Sequence, residues 1–196
     1  TGNTIVGNIF HGNSRGVDIE QSSNTNKIFH NSFFTSQDVN GYDACTNIWD
    51  NGYPSGGNFW DDYTGNDNNH DGIGDTPYTI PGGGGNKDRY PLMKPWNHPP
   101  NQPTEPIPSN GAVNVPLNLT LSVLVYDRDG DTMNVSFYNA ANSQLIGVAT
   151  KVASSTRASI SWNGLQIMTQ YSWYAMANDS KKTNRSDTWM FTTGNG

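Results

Sequence analysis

The chain has 196 residues, a formal net charge of −6 and 33% hydrophobic residues. This length fits one or two domains, and an aromatic content of 11% argues against intrinsic disorder. The acidic balance argues against nucleic acid as a partner, and the absence of any run of 18 apolar residues predicts no membrane span. The 26 Asn and 21 Gly residues favour tight turns with strands between them, so we expect an all-β protein.

An internal repeat occupies the first part of the chain. Segment 3–10 (NTIVGNIF) returns 23 residues later as segment 26–33 (NKIFHNSF), and a degenerate third copy begins at Asn47. A period in the low twenties predicts a β-solenoid whose coils bury their apolar positions in columns. The expected columns are Ile5, Ile28 and Trp49, and Phe10 with Phe33, while Asn8 and Asn31 form a hydrogen-bonded ladder.

The stretch 67–75 (DNNHDGIGD) predicts a calcium loop. Oxygen ligands fall at the spacing of an EF-hand-type loop, with Gly72 at the turn, and they come from Asp67, Asn69, Asp71, the carbonyl of Ile73, and Asp75. Tyr78 stands where the bidentate glutamate is expected, so a further ligand must come from Asp61, Asp62, Asp88 or water. The alternative is a surface turn rich in Asn, Asp and Gly that binds no metal.

These repeats, together with the blocks at 51–60, 67–78 and 88–93, resemble the C-terminal end of right-handed parallel β-helix proteins. The family is that of the NosD-like, PbH1-repeat surface proteins common in archaea, and the resemblance covers about residues 1–94. It implies an exported β-helix. Some members are copper-related, which directs attention to His11, His30, His70 and His98, although these residues do not cluster in the sequence.

A proline-rich stretch at 95–107 predicts a stiff spacer between a first domain at 1–94 and a second at 108–196. The second domain alternates apolar and polar residues at 120–126, 133–139, 158–162, 171–177 and 188–192, which predicts a β-sandwich. The segment from Leu165 to Tyr171 is similar to the tyrosine corner of fibronectin type III domains, with Ile167 in place of the usual proline. This resemblance implies a fibronectin III/Ig-like fold, with Trp162, Trp173 and Trp189 packed in or near its core.

A second acidic loop, with Asp127, Asp129 and Asp131, lies between two of these predicted strands. It is a second candidate calcium site, to which Asp179 is predicted to contribute from the same end of the sandwich. The alternative is a solvated hairpin turn around Asp-Gly.

The sequence offers no catalytic motif, so we expect a non-enzyme. Carboxylates that a glycosidase would need are present at Asp18, Glu20, Asp38, Asp43, Asp61 and Asp62, but a floor of two to three coils is short for a polysaccharide groove. Cys45 is the single cysteine and forms no internal disulfide. Four sequons permit N-glycosylation, at Asn118, Asn134, Asn178 and Asn184.

The combined pattern predicts an extracellular, calcium-stabilised structural module of a surface layer, sheath or filament. The chain begins inside a repeat, so we expect either upstream coils or head-to-tail self-association with another subunit. Other surface proteins are alternative partners. A second hypothesis is a glycan-binding or adhesive module with Trp49, Tyr53, Trp60 or Tyr63 as stacking platforms, and a third is a fragment of a polysaccharide-active enzyme.

Overall fold

The computed structural model describes residues 1–34 and 37–195, which form strands, turns and loops without an α-helix. The chain divides into two compact units, Thr1–Trp96 and Asn97–Gly196. The predicted all-β class is therefore confirmed. Within the described residues, no helix is long and apolar enough to cross a bilayer.

The first unit consists of short strands: β1 (Thr4–Val6), β2 (Ile9–His11), β3 (Arg15–Ile19), β4 (Lys27–Phe29), β5 (Ser32–Phe34), β6 (Val39–Asp43), β7 (Phe59–Trp60), β8 (Tyr78–Thr79) and β9 (Lys87–Asp88). Pairing is parallel in β1–β4, β2–β5–β7 and β3–β6, whereas β8 and β9 are antiparallel. Short parallel strands that pair with the strand one repeat later are the arrangement of a β-solenoid.

The register of the parallel pairs is that of the sequence repeat. Ile5 lies opposite Ile28, and Phe10 lies opposite Phe33. Ile28, Phe33 and Trp49 are fully buried, as the repeat predicts, while Ile5 and Phe10 pack against this core from a partly buried position. Each coil therefore buries its apolar residues against the same positions of the next coil.

A continuous stack of aromatic rings runs through the solenoid interior. The ring centroids of Phe10 and Phe33 are 4.8 Å apart, those of Phe33 and Trp60 are 4.3 Å apart, and those of Trp60 and Tyr78 are 4.2 Å apart. The interplanar angles are 8°, 6° and 11°. Gly41 leaves room for this packing, because a Cβ there would come within 3.2 Å of Trp60. Such ring pairs add to the area that each ring buries.

Two asparagine ladders hold successive coils together. In each, the backbone N of one rung donates to the side-chain oxygen of the rung in the next coil, at distances of 2.6 to 3.1 Å. The rungs are Asn3, Asn26, Asn47 and Asn86 in one ladder, and Asn8, Asn31, Asn58 and Asp88 in the other. The predicted pair of Asn8 and Asn31 is thus present and is part of a longer ladder.

The second unit contains β10 (Thr104–Ile107), β11 (Ala112–Val115), β12 (Leu119–Val125), β13 (Met133–Asn139), β14 (Gln144–Val152), β15 (Thr156–Trp162), β16 (Gln170–Asn178), β17 (Thr183–Arg185) and β18 (Trp189–Thr193). One sheet has the order β10-β12-β15, and the other has the order β11-β18-β16-β13-β14, with β17 also paired to β16. The core contains Leu121, Val123, Val135, Phe137 and Trp173, all fully buried. Inward-facing residues of two sheets meet here, as in a β-sandwich.

The predicted tyrosine corner is present in the structure. The Tyr171 hydroxyl oxygen accepts a hydrogen bond of 2.9 Å from the backbone N of Gln166, and Leu165 is buried nearby in the core. Trp173 and Trp189 are buried in the core and Trp162 packs against it, as expected.

The segment predicted as a spacer differs from that prediction. Residues from Asn97 onward belong to the second unit, and β10 pairs with β12 from within the proline-rich stretch. Pro106 lies inside β10. Proline is tolerated there because β10 is an edge strand, where one side of the backbone needs no ladder partner.

Candidate metal sites

The predicted calcium loop closes on itself through carboxylate hydrogen bonds. Asp67 accepts from the backbone N of Asp71 at 3.1 Å and of Gly72 at 2.9 Å, while Asp71 accepts from the backbone N of Ile73 at 2.9 Å. Asp75 accepts from the backbone N of Asn68 at 2.9 Å. Gly72 has a φ of 86°, a conformation that glycine adopts without strain. Backbone N–H groups of the loop thus hold the Asp67, Asp71 and Asp75 carboxylates in place.

Backbone pairing fastens this loop to the last coil. Gly74 N donates to Pro91 O at 2.8 Å, and Met93 N donates to Gly72 O at 3.0 Å. On its other side the same segment joins the solenoid, since Leu92 N donates to Asn58 O at 2.8 Å. An ion that ordered the loop would thus also order the end of the solenoid.

The surroundings of Asp71 favour its ionised form. The backbone N–H of Ile73, together with Asn69 and Tyr53, lowers the pKa of Asp71, against a smaller opposing effect of burial. Ionised carboxylates are the form that binds hard cations such as calcium.

The further ligands proposed from the sequence have other partners. Asp88 is fully buried and accepts from Asn58 N at 2.6 Å and from Trp60 Nε1 at 2.9 Å. Asp62 accepts from the Tyr78 hydroxyl at 2.9 Å and from Asn40 Nδ2 at 2.9 Å, and Asn40 also donates to Asp61. Asp88 is thus the last rung of a ladder and not a ligand of this loop.

Sequence reasoning missed the two last rungs, Asn86 and Asp88, because the long insertion before them breaks the repeat period. Their signal is weak: an Asn-Lys pair at 86–87 that matches the one at 26–27. Burial raises the pKa of Asp88 to about 6, although Asn58, Trp60 and Tyr90 donate to its carboxylate. Burial disfavours the ionised form of this carboxyl group, and its hydrogen bonds offset that effect only in part.

The second acidic loop joins β12 of one sheet to β13 of the other. It is therefore a crossover between sheets and not the hairpin turn of the alternative interpretation. Asp127 is buried, and its Oδ1 accepts from the backbone N of Asp129 at 2.8 Å and of Asp131 at 3.3 Å. Asp179 is also buried and accepts from the backbone N of Lys181 and Lys182.

The donor sets at both loops consist of carboxylate, amide and carbonyl oxygens, which are the ligands of calcium. Among the residues that the structure describes, no group of three or more His, Cys, Asp or Glu side chains is placed to hold a metal ion as it stands. At each loop the carboxylates are instead engaged by backbone N–H groups or by neighbouring side chains. Binding would require them to exchange some of these partners for the ion.

The four histidines lie in separate environments. His30 is buried, stacks on Trp96 at 3.5 Å and has its Nε2 2.8 Å from the carbonyl oxygen of Ser55. The Nδ1 of His98 is 2.8 Å from Asp129. His11 packs beside Phe34. His70 lies in the acidic loop at a φ of 59°.

The structure corrects the proposed sugar platforms. Trp49 and Trp60 have 0% and 1% of their surface exposed, so neither ring can stack on a sugar. Both belong to the solenoid core, and both indole N–H groups donate to buried carboxylates, Asp43 and Asp88. Tyr53, by contrast, is 61% exposed.

Of the six carboxylates considered for catalysis, three line one surface cavity and the other three lie elsewhere in the unit. Asp43 is a buried acceptor for Trp49 and Asn47, while Asp18 and Asp38 both pair with Arg15. Glu20 is exposed. Asp38, Asp61 and Asp62 line a surface cavity of about 280 Å³ together with Val39, Asn40, Tyr78 and Pro81.

Three of the four sequon asparagines are exposed, at positions 118, 134 and 178. The fourth, Asn184, is half-buried, and its Nδ2 donates to Pro100 O at 3.1 Å. Because glycosylation modifies that nitrogen, Asn184 is the least suited of the four.

Among solved structures, the chain is similar to the PKD domain of a peptidase from a Thermoplasmatales archaeon, with 21% identity and a TM-score of 0.38 over 50% of this chain and 98% of that one. It is also similar to the FN5 domain of Drosophila Lar, with 17% identity and a TM-score of 0.30 over 50% of this chain and 99% of that one. No curated protein sequence matches the chain. Residues 1–65 match the model of the periplasmic copper-binding protein family NosD, so the first third of the chain is similar to that family.

Proposed function

We propose that the chain is a non-catalytic module of an extracellular surface assembly, such as a layer, sheath or filament, with calcium as its structural ion. The observation that carries this proposal is the construction of the solenoid, whose interior is filled by aromatic stacks and asparagine ladders that link one coil to the next. A solenoid built in this way is suited to a structural role, because each coil is bonded to the next. The similarity of residues 1–65 to a periplasmic family supports an exported location.

The first coil offers a surface for further assembly. In the described residues, β1, β2 and β3 each pair with a strand of the second coil only, and Val6 in β1 and Ile9 in β2 are 46% and 41% exposed. Open strand edges pair readily with another strand. A further coil, from the same polypeptide or from a neighbouring subunit, would continue the ladders in register. A neighbouring subunit at this edge would give head-to-tail growth.

Calcium is proposed to bind the loop formed by Asp67, Asn69, Asp71, the Ile73 carbonyl and Asp75. The support is the ligand spacing, the backbone N–H groups that hold the Asp67 carboxylate, and the backbone pairing of the loop with residues 91–93. The ion would fix this loop against the last coil and so close that end of the solenoid.

Negative-stain electron microscopy of the purified chain in calcium chloride, and then in chelator, tests the proposal. We expect regular filaments or sheets in calcium, fewer in chelator, and fewer for Asp71→Ala. The matched control is Glu20→Ala, which removes an exposed carboxylate of the same unit outside the loop. Dispersed monomers under every condition would contradict the assembly proposal.

An adhesive module is the second candidate, favoured by the exposed ring of Tyr53. Its ring centroid lies 6.2 Å from that of Tyr90, over which the Arg89 guanidinium is placed at 5.5 Å. Rings of this kind can stack on sugars or on other proteins. Saturable binding on a glycan array that is lost in Tyr53→Ala would favour adhesion over assembly.

A further inference from the structure

A cluster of charged side chains lies at one end of the second unit. Three segments meet there: residues 97–98, the loop between β12 and β13, and the turn between β16 and β17. Asn97 Nδ2 donates to Asp179 Oδ2 at 2.8 Å, and His98 N donates to Asp129 Oδ2 at 2.6 Å. Lys181 Nζ donates to Asp131 Oδ2 at 3.0 Å.

One carboxylate oxygen of this cluster has no hydrogen-bond partner among the described residues. Asp127 has only 1% of its surface exposed, and its Oδ1 accepts two backbone hydrogen bonds. Its Oδ2 is shielded from solvent and has no hydrogen-bond partner among the described residues. An ionised oxygen buried in this way is costly unless a cation or a donor reaches it.

The cluster carries more negative than positive charge, which also favours the binding of a cation. Four carboxylates (Asp127, Asp129, Asp131 and Asp179) face two ammonium groups, and His98 adds a charge only when protonated. With both ammonium groups in place the formal charge is −2, and without Lys181 it is −3, so a divalent cation in place of Lys181 would bring it to −1.

Lys181 occupies oxygens that a cation would need. Its Nζ donates to Asn97 Oδ1 at 2.7 Å as well as to Asp131 Oδ2, and the Lys181 side chain is 58% exposed. An ammonium on a flexible stem can leave towards solvent without disturbing the fold. It does not reach Asp127 Oδ2, which keeps no partner while Lys181 is in place.

We propose that this cluster is a calcium site whose resident cation in the metal-free protein is the Lys181 ammonium. Calcium would take Asp127 Oδ2, oxygens of Asp129, Asp131 and Asp179, and Asn97 Oδ1, and Lys181 would swing out as the ion enters. These oxygens satisfy the six to eight ligands of calcium when waters complete the set. Lys181 thus sets the calcium affinity of this site. The site binds its ion independently of the loop at 67–75.

Isothermal titration calorimetry of the full chain with calcium chloride tests the proposal. We use the wild type, Asp71→Ala, Asp127→Asn and the double variant. The wild type is expected to bind two calcium ions, each single variant one, and the double variant none. Asparagine at 127 retains an oxygen for the two backbone bonds, and hydrogen exchange of the β12 and β13 peptides verifies the fold. Asp127→Asn with undiminished calcium binding would overturn the site. If Asp127→Asn loses calcium binding and Asp71→Ala does not, the calcium site proposed at residues 67–75 is contradicted.

The lysine exchange has its own readout in the Asp71→Ala background. Adding Lys181→Gln removes the competing cation, and we expect calcium to bind about tenfold more tightly, equivalent to about 1.4 kcal/mol. Lys27→Gln makes the same charge change at an exposed position on β4, outside the cluster, and should leave the affinity unchanged. Equal affinity in the two lysine variants would overturn the exchange.

Discussion

Asn58 is the third rung of the ladder formed by Asn8, Asn31, Asn58 and Asp88. Its replacement by alanine tests how this ladder stabilises the solenoid. The residue is fully buried. Its Oδ1 accepts from Asn31 N at 3.1 Å, and its Nδ2 donates to Ile28 O at 2.9 Å and Trp49 O at 2.7 Å. Asn58→Ala leaves these three buried backbone groups without a partner. At about 1 kcal/mol or more for each, the free energy of unfolding should fall by about 3 kcal/mol or more.

Asn8→Ala is the matched control, because Asn8 is a rung of the same ladder in the first coil. Its Nδ2 donates to Val6 O and to Asn31 Oδ1, and solvent reaches this partly buried rung. Water can replace the lost bonds, so we expect a loss of about 1 kcal/mol or less.

Hydrogen exchange in increasing urea, read by mass spectrometry, measures both variants. Peptides of β4 to β7 report the solenoid, and peptides of β12 to β16 report the sandwich as an internal reference. The solenoid midpoint should fall far more for Asn58→Ala than for Asn8→Ala, with the sandwich midpoint unchanged. Equal losses for the two variants would refute the ladder as a buried hydrogen-bond network.

Two further predictions concern buried groups. The folded pKa of Asp88, about 6, lies above its ordinary value of 3.8, so its contribution to stability is full below about pH 4 and is lost as the pH rises through 6. In chelator, Asp88→Asn should therefore remove about 2 kcal/mol of pH dependence between pH 4 and 7, and an unaltered pH profile of urea unfolding would contradict this. Trp60→Phe loses the hydrogen bond from Nε1 to Asp88. The equally buried Trp173 is the control, because its Nε1 has no hydrogen-bond partner in the described residues. Trp60→Phe should therefore lower the free energy of unfolding by about 1.5 kcal/mol more than Trp173→Phe. Equal losses in calorimetry would show that the bond to Asp88 contributes nothing.

The solenoid was predictable as far as its repeat kept a constant period. Asn8 and Asn31 are 23 residues apart, and the next rungs lie 27 and 30 residues further on. The insertion that carries the acidic loop changes the spacing, so the last rung, Asp88, carries no periodic signal. The ligand spacing at 67–75 predicts a calcium loop, and this stays a prediction. The sequence could not show that residues 91–93 join this loop to the last coil.

The strands of the sandwich were predictable where apolar and polar residues alternate regularly, and less so at the edges of its sheets. The strand at 133–139 was predicted with the bounds of β13. β10 was missed because prolines dominate its sequence, and β14 because register irregularities in its pairing with β13 disrupt the alternation. The acidic cluster unites Asn97, Asp127 and Asp179, which are too far apart in the sequence for spacing to connect all three.

The most direct test of the account is the thermal unfolding of the full chain in calcium chloride and in chelator, for the wild type, Asp71→Ala and Glu20→Ala. At a calcium concentration about 100-fold above Kd, the free energy of unfolding should rise by about 2.7 kcal/mol. For a unit of this size that corresponds to a rise in Tm of about 10 °C or more, as read from the solenoid transition. The account predicts this rise for the wild type and Glu20→Ala and its loss in Asp71→Ala. A solenoid Tm that is the same in calcium and in chelator would contradict it.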